Sequence, residues 1–185
     1  MFKLNILASI LLLFFLSNIA YASDNTKVSV KNEIEQGLNN YQAIVIEFNK
    51  KMDADSYGSF SEGSEYSNDR DRLHESYEND YLPALDKLVE YVCDKRDKEI
   101  LELFFKVERE MSGSADESRF NVLADILYCE PEIVRDTYNK IKDARLRKSA
   151  LDFIEFSMDI LMKEKPDNEK VLKAKNMVKK LSDSK

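Results

Sequence analysis

The side chains able to do chemistry are few and far apart in the 185-residue chain. His74 is the only histidine, in Leu73-His74-Glu75-Ser76-Tyr77, and any Ser-His-Asp or Cys-His site would have to be built on it. No G-x-S-x-G elbow accompanies it, so it reads as a surface histidine. A single histidine also excludes a two-histidine zinc motif. Asp53-Ala54-Asp55-Ser56-Tyr57-Gly58 opens like a calcium loop, with acids at positions 1 and 3 and glycine at 6. The pattern then fails, because Tyr57 holds position 5 and Ser64 stands where a bidentate glutamate is needed at 12. Carboxylate pairs such as Glu108 with Glu110, or Asp152 with Glu155, would suit glycoside hydrolysis. Lys and Arg interleave with them at i+3 and i+4, however, which is the pattern of solvent-facing ion pairs. Neither GxGxxG nor GxxxxGK[ST] occurs, and no cofactor or metal is expected.

The two cysteines are more informative. Cys93 and Cys129 each fall at the end of an expected helix, and the apolar periodicity says why those helices exist. Ile34, Leu38, Tyr41, Val45, Phe48 and Met52 form one stripe, so 23–52 is read as an N-terminal helical segment, with Gly37 inside it as a place for close helix contact. Residues 53–80 read as an acidic loop with a short weak helix at its end. From residue 81 the pattern becomes repetitive. Pro83 opens a helix over 82–94 carrying Leu85, Leu88, Val89 and Val92. Asp97 caps a second, which buries Ile100, Leu101, Phe104, Phe105, Val107 and Met111 and ends at Gly113. Ser114 and Glu117 form a capping box for a helix over 115–129 with Phe120, Leu123, Ala124, Ile126 and Leu127. Pro131 opens a short helix, Asp143 caps a long one, and Pro166-Asp167 separates that from a last helix with Val171, Ala174, Val178 and Leu181.

These helices form three consecutive pairs, 82–111, 115–142 and 144–182, at repeat-like spacing. Short connections make neighbours antiparallel. The stretch resembles stacked HEAT-type hairpins in architecture only, and an irregular helical bundle fits the same pattern. The expected fold is all-α: a long N-terminal helix followed by stacked antiparallel hairpins over 81–185. If the pairs stack in parallel, Cys93 and Cys129 become neighbours, and a Cys93–Cys129 disulfide is expected.

That expectation needs an oxidising compartment, and residues 1–22 supply the address. Lys3, the apolar run Ile6 to Leu16 and Ala20-Tyr21-Ala22 make a signal-peptide pattern with cleavage after Ala22. The run is short for a membrane span, so no stable membrane insertion is expected after cleavage. Residues 23–185 are then one mature domain, exported to a bacterial periplasm or beyond.

The charge is unevenly placed. The whole chain is at −7, with a pI near 5.0, which argues against nucleic-acid binding. Residues 53–80 hold nine acids and two arginines, whereas 163–185 hold eight lysines and four acids. The acidic segment is also aromatic. Tyr57, Phe60, Glu62, Glu65, Tyr66 and Asp69 are the candidate contact surface for a protein partner with a basic face, since tyrosine offers contact area at small rotamer cost. The lysine-rich last helix suits an acidic partner or surface. Size, export pattern, helical fold and disulfide resemble periplasmic immunity or inhibitor proteins as a class, which implies a non-enzymatic protein-binding module with a toxin-like partner. Two other roles fit the sequence: a cell-wall-acting hydrolase using paired carboxylates, and an envelope adaptor or structural protein.

Overall fold

A computed structural model of the chain describes residues 29–54, 58, 60–61, 63–111 and 117–183. The signal-peptide segment, Tyr57, Glu62 and Gly113 to Asp116 lie outside these residues. Every regular element among the described residues is helical, and none of these helices is long and apolar enough to cross a membrane.

Helix α1 spans 29–53. Its stripe buries Ile34, Leu38, Tyr41 and Val45, but Met52 at the end is 42 % exposed. The acidic stretch contains more helix than the sequence suggested. Helix α2 runs Glu65–Ser76, capped by Ser64, whose hydroxyl accepts from the Ser67 amide. The only residues it buries are Ser67 and Ser76, so no apolar stripe announces it.

Helix α2 continues through a π-helical turn, Tyr77–Tyr81, into α3, Leu82–Lys95. Pro83 therefore sits inside a continuous helix and does not open a new one. It has no N–H to give to the Asn79 carbonyl, and its ring crowds that oxygen. The turn before it widens, and the Leu82 amide reaches Tyr77 five residues back. Gly37 of α1 lies against this turn: a Cβ there would stand 2.4 Å from the Asp80 carbonyl oxygen and 2.9 Å from Ala84 Cβ. Only glycine lets α1 approach so closely. Arg96 ends α3 in the left-handed region, at φ 55°.

The remaining helices are α4 (Lys98–Glu110), α5 (Ser118–Cys129), α6 (Pro131–Lys140), α7 (Ala144–Glu164) and α8 (Glu169–Ser182). Two expected caps form, Asp97 accepting from Glu99 and Ile100 and Asp143 accepting from Leu146, and Pro131 opens α6 as expected. Helix α5 starts at Ser118, so Glu117 precedes the helix and makes no side-chain cap contact. Asn168, rather than Asp167, caps α8.

Helices α3, α5 and α7 pack side by side as one layer, and α4, α6 and α8 as a second, so the three pairs stack as hairpins. Helix α4 also touches α7, and α5 touches α8, which closes the stack into a compact body. One apolar core runs from Ile34 to Leu181. Parallel stacking puts the C-terminal ends of α3 and α5 together. Cys93 and Cys129 lie there with Cα atoms 6.0 Å apart and sulfurs within disulfide-bonding distance.

Candidate functional site

The expected contact residues are partly brought together. Phe60, 62 % exposed, stands edge-on to Tyr66 with ring centroids 4.8 Å apart, and Tyr66 lies 5.9 Å from Phe48 of α1. The aromatic pair is thereby seated on α1 and on the first turn of α2. The acids beside it do not all face outward. Lys51 of α1 reaches Asp69 at 2.6 Å, Glu65 at 3.0 Å and Glu47 at 3.6 Å. The hydrogen bond from Lys51 to Asp69, then that to Glu65, keeps the ammonium protonated above its ordinary range. Arg72 adds contacts of 3.6 Å to both Glu47 and Asp69. The patch is less one-sided in charge than its sequence. Asp69 serves as a clamp between α1 and α2, while Glu65 remains mostly exposed.

Other aromatics near the acidic stretch are internal. Tyr41, Tyr77 and Tyr81 form a ring cluster with centroids 4.6 to 5.8 Å apart, and Tyr81 is fully buried. Its hydroxyl donates to Glu108 of α4, whose other oxygen receives Arg119 of α5 at 3.2 Å. Arg119 also donates to the Met111 carbonyl at 3.2 Å and lies 4.7 Å over the Phe120 ring. Glu108 and Arg119 are each only 5 % exposed. Glu108, expected among solvent-facing acids, is instead buried. The signal was present: Glu108 stands four residues after Phe104 and three before Met111, on the buried face of its own helix. Arg119 likewise precedes Leu123 by one turn.

This buried pair lines a cleft of about 260 Å³, walled by Phe120, Phe153 and Phe156, with Asp152 and Ser149 on α7. Phe156 is 48 % exposed and its ring lies 4.4 Å from that of Phe120. Chemically the cleft pairs an aromatic wall with two carboxylates, one of them committed to a guanidinium and a phenol. Glu110, the other half of the expected pair, binds Arg109 instead. His74 is exposed on α2. The calcium-loop candidate falls largely outside the described residues, and its Asp53 is the last residue of α1. Among the described residues no group of three or more His, Cys, Asp or Glu side chains is placed to hold a metal ion.

No family model, curated protein or solved structure matches the chain.

Proposed function

We propose that the protein is an exported, non-enzymatic protein-binding module that engages a partner through the Phe60–Tyr66 patch. The observation that supports it is Phe60, a large ring 62 % exposed yet held edge-on by Tyr66 and, through it, by α1. An anchored exposed aromatic ring loses little freedom on binding, which is how hot-spot residues act. Glu65 beside it, with Glu62 and Asp53 in the same segment, favours a basic partner surface. A periplasmic immunity or inhibitor protein works in this way, by covering its target.

The test is a pull-down from the native envelope fraction with the wild-type chain and with Phe60→Ala/Glu65→Lys. A partner retained by the wild type and lost by the variant is expected; equal capture by both overturns the patch. Export carries its own readout. The mature protein should begin at Ser23 and contain no alkylatable thiol without reduction, both read by intact mass.

One observation favours a second reading. Glu108 and Asp152 line the same cleft, as a cell-wall hydrolase would require. Clearing of a peptidoglycan suspension by the wild type but not by Asp152→Asn would establish that reading in place of the first.

A further inference from the structure

The last helix offers a second surface of opposite sign. Helix α8 buries Val171, Ala174, Val178 and Leu181, and turns Leu172, Lys173 and Lys180 outward. Leu172 is 44 % exposed, a lone aliphatic side chain on a face of lysines. Helix α6 forms the opposite wall, where Glu132 and Arg135 stand about one turn apart. Between the two helices lies a groove of about 460 Å³ that reaches Met177 on the inner side of α8.

The charges in this groove are already partly balanced from within. Lys173 crosses to Glu132 at 2.7 Å and draws that carboxyl below its ordinary range. Among the described residues no carboxylate pairs with Lys175, Lys179 or Lys180. The unmet charge is cationic, and the unmet apolar surface is Leu172. A groove between two helices is the usual seat for a third helix carrying an apolar anchor. A flat anionic surface would press directly on Glu169 at the rim, whereas a helix can set its carboxylates between the lysines.

We propose that the α6/α8 groove docks an acidic amphipathic helical segment of a partner protein, with one apolar side chain against Leu172 and Met177 and a carboxylate on Lys180. This surface is independent of the Phe60 patch and suits a different partner.

The probe is a fluorescein-labelled synthetic helical peptide of glutamate and alanine with a single central leucine, titrated with the oxidised chain by anisotropy. Leu172→Ser and Lys180→Glu change solvent-facing side chains and leave the core intact, so both variants fold. Each is expected to weaken binding about tenfold, whereas Lys50→Glu on α1, an equal change of charge elsewhere, alters it less than about twofold. The proposal is overturned if the peptide does not bind at about 0.1 mM, a weak but measurable range. It is equally overturned if Lys50→Glu weakens binding as much as Lys180→Glu, which would mean net charge alone, or if Leu172→Ser changes nothing. Sedimentation showing self-association through Leu172 and Lys180 would assign the groove to a second copy instead. Binding of phosphatidylglycerol vesicles with the same residue dependence would assign it to a membrane surface.

Discussion

Tyr81, Glu108 and Arg119 show what a single misplaced charge does to a helical core. Glu108 and Arg119 each occupy a helix position that the apolar spacing marks as internal, yet each carries a charge. The fold resolves the conflict by setting them against each other and against the Tyr81 hydroxyl. Replacing one partner of such a pair leaves a buried charge uncompensated and costs about 3–5 kcal/mol, while replacing both with apolar residues of similar size is often close to neutral. Arg119→Met is therefore expected to lower stability in urea denaturation at pH 7 by that amount. Glu108→Met/Arg119→Met should recover part of the loss, short of the hydrogen bonds to the Met111 carbonyl and from the buried Tyr81 hydroxyl. Equal destabilisation of the single and double variants would show that the network acts through packing and not charge. The spacing that reveals position 108 was legible in the sequence. What was not legible is which opposite charge would meet it, because Arg119 comes from another helix and Tyr81 from a third.

At the scale of elements, helices with an apolar stripe and a polar cap were readable, and those lacking one of the two were not. Helix α4 has both, with Asp97 at its start and six buried apolar residues from Ile100 to Met111. Helix α2 has a cap but buries only serines, so residues 65–71 read as loop and only its end read as weak helix. The π-helical turn at Tyr77–Tyr81 was hidden for a different reason: Pro83 opens a helix as readily as it widens one, and the apolar spacing does not distinguish the two. Contacts between elements follow charge that sequence order does not show. Asp136 of α6 takes Lys98 of α4 at 2.6 Å and Arg135 at 2.8 Å, tying two stacked hairpins. The hydrogen bond from Lys98, then that from Arg135, lowers its carboxyl from the ordinary 3.8 to about 2. A group lowered on folding adds stability that is complete above its unfolded value and is lost as pH falls through its folded one. Asp136→Asn should thus lower the melting temperature at pH 7, and the gap to the wild type should close between about pH 4 and pH 2. The side chain is about a third exposed, so solvent screening holds the effect to about 1 kcal/mol or less. A gap that persists at pH 2 would mean that Asp136 acts through shape alone.

For the whole molecule, the open question in the sequence was whether the hairpins form a linear array or a closed bundle, and the packing answers it through one diagonal contact. In a linear array each pair touches only its neighbours, and parts can unfold separately. Here α4 of the first pair reaches α7 of the third, and the core cluster is continuous from Ile34 on α1 to Leu181 on α8. Cooperativity should therefore not depend on the Cys93–Cys129 link, although stability should. The link closes a span of 36 residues in sequence, which is worth about 4 kcal/mol in the chain-entropy model. Against a total of roughly 5–15 kcal/mol for a domain of this kind, that is a large share. Reduction, or Cys93→Ser/Cys129→Ser, is expected to lower the urea midpoint strongly. The transition should remain single, with helical circular dichroism and the fluorescence of the Tyr41–Tyr77–Tyr81 cluster changing together. In a chain whose other tyrosines are replaced by phenylalanine, these rings report on the α1 end of the body, whereas the dichroism reports on all the helices, so the comparison is sensitive to partial unfolding. If the tyrosine signal moves first in the reduced chain, the α1–α2 portion is a separate, weaker unit whose docking needs α3 held against α5 by the staple. If both signals move together at a lower midpoint, the apolar core alone makes the molecule cooperative and the two sulfurs only deepen its stability.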